Sequence, residues 1–336
     1  MKVTSLPFAD RFTDLHLHLD GAVTPAIAKQ LADMQDIPLP PDDELEKLLT
    51  VSPDCRDLNE FLSCFSLPQK LLQNYAALTE CTCLVTSGLA SQQVVYAELR
   101  FAPQLHCIDG MSQEDAVRAV LEGLEKSPVR GNIILCFMRG GSIEDNTETL
   151  RLAKKYLTAD GGVTALDLAG AEALFPTADY RGLFEEARRL GIPFTIHAGE
   201  ADGAHSVREA IEMGACRIGH GVRTFEDDAL VSLAAERGIP FEMCPTSNRI
   251  TRAVADMENY PFNDYIARGI PVTINTDDPA IERTTIAVEY RYMEEVFGLT
   301  AQQERVLLAN SIEAAFTTDR GRADIKRSLG LDSEVL

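Results

Sequence analysis

Asp14-Leu15-His16-Leu17-His18-Leu19-Asp20-Gly21 is the stretch on which the fold turns. Read as a strand with a side-chain period of two, it sets Asp14, His16, His18 and Asp20 on one face and the three leucines on the other. The leucine face can enter a core while the other face holds a ligand. Gly21 then stands alone, without the Gly-rich phosphate turn that a doubly wound sheet offers after its first strand.

Similar strands recur outward from this stretch. Strand-like runs fall at 94–101, 132–138, 163–168, 194–197, 217–220, 240–244 and 272–276, and helical patterns at 113–125, 144–157, 180–190, 206–212, 227–237 and 263–268 separate them. Gly191-Ile192-Pro193, Gly238-Ile239-Pro240 and Gly269-Ile270-Pro271 read as left-handed helix stops leading straight into the next strand. Eight parallel strands alternating with helices predict an α/β fold, a (β/α)8 TIM barrel, as one domain over residues 1–336. Extra helices are expected after the first strand and at the C-terminus. Thr24 and Pro25 open one at 25–36, residues 39–51 form an acidic excursion, and 69–87 reads as a single long helix. Leu58, Phe61, Leu62 and Phe65 share a helical spacing that suits either core packing or the apolar wall of a pocket.

Composition narrows the partners. A net charge of -21 over 336 residues disfavours nucleic acid and acidic membrane surfaces and suits a small neutral or cationic ligand. Residues 1–11 carry no apolar leader and no later run approaches membrane-spanning length, so a cytoplasmic protein is expected. The eight cysteines are scattered without a CxxC pair, which reads as reduced thiols. Oligomeric state leaves no mark in the sequence.

Of the six histidines, His16, His18, His197 and His220 fall at strand ends, where barrel enzymes keep their chemistry. His106 and His205 fall in loops and are read as ordinary packing or surface residues. The eighth strand runs into Asn275-Thr276-Asp277-Asp278-Pro279 and the fifth into His197-Ala198-Gly199-Glu200. His16, His18, His197 and Asp277 make a ligand set for one Zn2+ with a position left for water, whose pKa such an ion lowers to ~7. No lysine near Asp167-Leu168-Ala169-Gly170 could bridge a second ion. Glu200, in a dry cleft, would hold a raised pKa and donate a proton near neutrality.

Taken together, His16-Leu17-His18-Leu19-Asp20-Gly21, Asp167-Leu168-Ala169-Gly170, His197-Ala198-Gly199-Glu200, Gly219-His220-Gly221-Val222, Cys244-Pro245-Thr246-Ser247-Asn248 and Asn275-Thr276-Asp277-Asp278-Pro279 resemble the adenosine deaminase family of the amidohydrolase superfamily. The resemblance runs over nearly the whole chain, including Tyr96-Ala97-Glu98-Leu99-Arg100. It implies zinc-dependent hydrolytic deamination of adenosine and 2′-deoxyadenosine to inosine and 2′-deoxyinosine, with release of ammonia, in purine salvage. It further implies that Glu200 protonates purine N1, that His220 orients the hydroxide and assists its deprotonation, and that Asp278 accepts from the attacking water or contacts N7. Gly170 would offer its N–H to N3, and Asp20 would meet the ribose 5′-hydroxyl, beside His18. Adenine or a modified adenine nucleoside is the alternative substrate, while AMP would need a basic cluster that the sequence does not display. A non-catalytic nucleoside-binding protein on the same barrel would be expected to have lost a ligand or the acid, and all are present. The chain departs from the family pattern at Pro103-Gln104, at Met138-Arg139-Gly140-Gly141 and through residues 58–68.

Overall fold

Eight strands run in parallel order through the chain: β1 (Phe12–His18), β2 (Val94–Phe101), β3 (Arg130–Met138), β4 (Val163–Ala169), β5 (Thr195–Ala198), β6 (Arg217–His220), β7 (Phe241–Met243) and β8 (Val272–Ile274). The computed structural model describes residues 8–52 and 54–331, so the leader-free reading of residues 1–7 lies outside the described residues. The strands form two four-stranded halves, β1-β2-β3-β4 and β5-β6-β7-β8. Two seams close them into a barrel. At one, Leu166 N–H donates to Pro193 O (3.0 Å). At the other, His18 N–H donates to Asp277 O and Asp277 N–H to His16 O, both at 2.8 Å.

Period-two alternation decides what faces where. Leu15 and Leu17, Leu166 and Leu168, and Ile196 and Ile218 join the main core together with the surrounding helices. The intervening positions of several strands carry buried charge instead: Glu98 and Arg100 on β2, Asp167 on β4, Arg217 on β6 and Glu242 on β7. The three Gly-Ile-Pro exits have left-handed backbone at the glycine, as expected.

Three features depart from the sequence expectations, and a fourth decides between two that the sequence left open. Residues 69–87 are not one helix: Ser66–Leu71 ends, and Asn74 opens Tyr75–Ser91 by accepting the Ala77 N–H at 2.9 Å. Asp20 is not on the first strand, because β1 stops at His18 and Asp20–Ala22 forms a short 3-10 turn. A helix at Ile286–Phe297, capped by Thr285, fills the span between β8 and the two C-terminal helices Ala301–Ala314 and Asp319–Ser328. Finally, the Leu58, Phe61 and Phe65 stripe packs with Cys55 and Ile281 in a satellite cluster apart from the main core, which favours the pocket-wall reading. All eight cysteines are free, and among the described residues no helix is long and apolar enough to cross a membrane.

Candidate active site

The C-terminal ends of the strands bring four side chains to one point. His16 Nε2 lies 3.0 Å from His197 Nε2 and 3.1 Å from Asp277 Oδ1, while His18 Nε2 lies 3.2 Å from His197 Nε2 and 3.4 Å from Asp277 Oδ1. The other nitrogens of two rings fix the tautomer. His16 Nδ1 pairs with Glu242 Oε2 at 2.7 Å and His197 Nδ1 with Asp167 Oδ2 at 2.9 Å, so each ring's proton sits on Nδ1 and its Nε2 lone pair is bare. Bare acceptors converging on a carboxylate oxygen at this spacing repel one another unless a cation lies between them. Zinc bonds of about 2.0 to 2.2 Å set neighbouring ligand atoms about 3 Å apart, so the four residues fit such an ion. Burial lowers the pKa of His16 and His18, which keeps both rings neutral and ready to ligate.

A layer of paired charge holds these rings from behind. Arg100 Nη1 donates to Asp167 Oδ2 and Arg100 Nη2 to Glu242 Oε2, both at 2.7 Å, so one guanidinium ties together the two carboxylates that orient His16 and His197. Arg217 completes the layer, with Nε on Glu242 Oε1 at 2.5 Å and Nη2 2.7 Å from Glu98 Oε2.

Across the cavity the carboxyl of Glu200 faces His220, with Oε2 3.6 Å from His220 Nε2. Burial, ahead of the neighbouring charges, raises the Glu200 pKa, the condition a proton donor requires. His220 Nε2 stands 3.8 Å from Asp277 Oδ2, and Asn248 Nδ2 donates to His220 Nδ1 at 3.0 Å while the Asn248 oxygen accepts from the Tyr260 hydroxyl. The ring proton of His220 is thereby placed on Nε2, pointing at the gap between Glu200 and Asp277. Both His220 (φ 61°) and Asp277 (φ 64°) adopt left-handed backbone that non-glycine residues avoid, a strain typical of functional sites. Gly21 makes room for the next group: a Cβ there would lie 1.7 Å from Asp278 Oδ1.

These groups line a cavity of about 190 Å³ with Asp20, Gly170, Leu58, Phe61, Leu62 and Phe65. Its lining among the described residues holds four carboxylates, those of Asp20, Glu200, Asp277 and Asp278, and neither lysine nor arginine. The sequence profile of the adenosine deaminase family matches residues 12–330. The chain belongs to the adenosine deaminase family. A relative described as adenosine deaminase in Haemophilus ducreyi is 44% identical over 318 residues, covering 92% of each chain. Among solved structures, an adenine deaminase from Arthrobacter aurescens superposes with a TM-score of 0.86 at 27% identity, covering 96% of this chain and 98% of that one. An N6-mAMP deaminase from Arabidopsis shares the fold with a TM-score of 0.83 at 24% identity, over 96% of this chain and 98% of that one.

Every site residue read from the sequence lies in or against this cavity, including Asp20 after its departure from β1. His106 and His205 keep their ordinary readings. His106 is buried with Nδ1 on Leu72 O, and His205 is exposed beside Asp202. Outside the reading fell the residues that act on the site from behind: Glu242, Arg100 and Arg217 as a linked set, the Asn248 contact to His220, and Glu172 in the loop after β4. A charged residue in the middle of an apolar strand, such as Glu242 between Phe241 and Met243, is the signal that could have found the first of these. This adenosine deaminase family member therefore carries its metal-type ligands, a candidate acid and an oriented imidazole around one cavity.

Proposed function

We propose that the chain hydrolyses the C6 amino group of adenosine and 2′-deoxyadenosine, giving inosine or 2′-deoxyinosine and ammonia, as a single-domain, cytoplasmic enzyme of purine salvage. One Zn2+ would be held by His16, His18, His197 and Asp277. When bound, that ion supplies a Lewis acid that makes water a nucleophile near neutral pH. Glu200 gives its proton to N1, which draws electrons from the ring and opens C6 to attack. His220, with its proton on Nε2, orients the water oxygen as a donor. Asp278, beside N7, takes one proton from the attacking water and hands it to the C6 amino group, which leaves as ammonia as the C6–N bond breaks; the second water proton returns to Glu200, so the product keeps N1–H and a C6 carbonyl. Gly170 N–H meets N3 and Asp20 meets the ribose 5′-hydroxyl, with His18 beside it.

The observation that carries this reading is a buried, protonatable Glu200 facing an oriented His220 in a cavity whose described lining residues include four carboxylates and neither lysine nor arginine. Such a lining favours a neutral nucleoside over a nucleotide, because among the described residues that line this cavity a phosphate would meet four carboxylates and neither lysine nor arginine. The solved adenine deaminase, at 27% identity, keeps adenine as the second reading. Following the fall in ultraviolet absorbance with adenosine, 2′-deoxyadenosine and adenine side by side tests both: the nucleosides should turn over much faster, and a wide preference for adenine would reject the first reading. Metal analysis of the purified chain should find about one zinc per chain.

A further inference from the structure

The backbone under Glu200 is tied down by a residue that does not line the cavity. Glu172, in the loop after β4, is 1% exposed. Its Oε1 accepts the Gly199 N–H at 2.7 Å and the Ser206 hydroxyl at 2.5 Å. Its Oε2 accepts the N–H groups of Glu200 (3.0 Å), Ala201 (2.7 Å) and Asp202 (3.0 Å). Four consecutive amides thus point at one carboxylate, the arrangement of an anion-binding nest filled from within the chain. Arg139 braces the same corner, donating to Phe175 O at 2.7 Å, to Thr177 Oγ1 at 2.9 Å and to the carbonyl of His197 at 2.6 Å. Burial opposes a charge on Glu172, but Arg139, the Ser206 hydroxyl and the amides outweigh it and lower its pKa.

We propose that Glu172 is a positioning residue: by gathering the amides of 199–202 it sets the carboxyl of Glu200 against the purine ring. The proposal rests on Glu200 as the acid of the proposed reaction. A glutamine at 172 keeps the size but turns an NH2 toward either the Gly199 amide or the three amides of 200–202, so the turn must shift. A purely structural brace would instead slow the reaction by the same factor whether or not position 200 carries an acid.

The test is a double-mutant cycle on adenosine turnover with the zinc-loaded chain. Glu172→Gln should lower kcat by about 10- to 100-fold with KM within about threefold, since a displaced acid costs part of the general-acid contribution. In a Glu200→Gln background the same change should cost less than about threefold, because the effect has nothing left to act through. Metal content per chain should stay unchanged in Glu172→Gln. No loss in the first comparison, or the same factor in both backgrounds, overturns the proposal. Near wild-type turnover by Glu200→Gln alone overturns the acid assignment itself, an outcome distinct from additivity in the cycle. If Glu172→Gln does not fold, Glu172→Asp keeps the charge but draws it back by one methylene, and should show the same non-additivity with a smaller loss.

Discussion

On one side of the His16 and His197 rings lies a set of buried charges paired with one another, and on the other a set that is not. Behind the rings, Glu98, Asp167 and Glu242 share Arg100 and Arg217 and receive the two Nδ1 protons as well. In front of them, Asp20, Glu200, Asp277 and Asp278 line the cavity with no cationic side chain among them. All of these groups are buried, none more than 5% exposed, so burial alone does not distinguish scaffold from site. What distinguishes them is whether negative charge is answered by the chain itself or left to be answered by a ligand.

The sharpest way to break this contrast is to remove a group from the unanswered side. Asp277→Ala or His16→Ala should strip the ion and reduce turnover to background, read by metal analysis and assay together. Glu200→Gln should keep the ion yet slow turnover by about 10²- to 10⁴-fold, as loss of a general acid does. On the matched side, Arg100→Met leaves Asp167 and Glu242 without their shared cation. We expect a loss of about 3 to 5 kcal/mol in urea unfolding, the cost of breaking a buried ionic set. Unchanged stability would show that the two layers are not built to different rules.

A smaller effect comes from pH. Burial pushes the Asp20 carboxyl up to about 6 from 3.8, so the folded, metal-free chain holds this proton more tightly than the unfolded chain does. That contribution is present in full below pH ~4 and is lost as pH rises through about 6, a swing of about 3 kcal/mol for a group this buried. Glu242 and Asp167, held below their ordinary values once their charged neighbours outweigh burial, contribute the opposite way and lose stability on acidification. Asp20→Asn should therefore raise the stability of the metal-free chain at pH 7 relative to pH 4, measured by thermal unfolding at both.

Much of this architecture could be read along the chain because it depends on local pattern. The bounds of β6 at Arg217–His220 and of the helix at Gln113–Glu125 follow from runs of neighbouring residues, and the strand-end histidines are conspicuous in a chain with only six. The helix break at Leu72–Asn74 was hidden because Asn74 sits inside an otherwise unbroken helical spacing and shows itself as a cap only through its bond to Ala77. Glu172 and the Arg100 pairings were hidden for another reason. Their partners lie 27 to 142 residues away, and in Glu172's case four of them are backbone amides that carry no residue identity to notice.

The closing of the barrel has a consequence for how the chain would behave when starved of zinc. The first and last strands meet through the hydrogen bonds of His16, His18 and Asp277, and those same three residues would grip the ion, with His197 reaching in from β5. An ion there works as a rivet through the joint between chain beginning and chain end, adding RT ln(1 + [L]/Kd) to the stability of the folded form. Amide exchange at Leu17 to Leu19 and at Asp277 should accordingly quicken on chelation while β2 and β3 stay protected, making metal supply a control on how long the protein survives as well as on how fast it works.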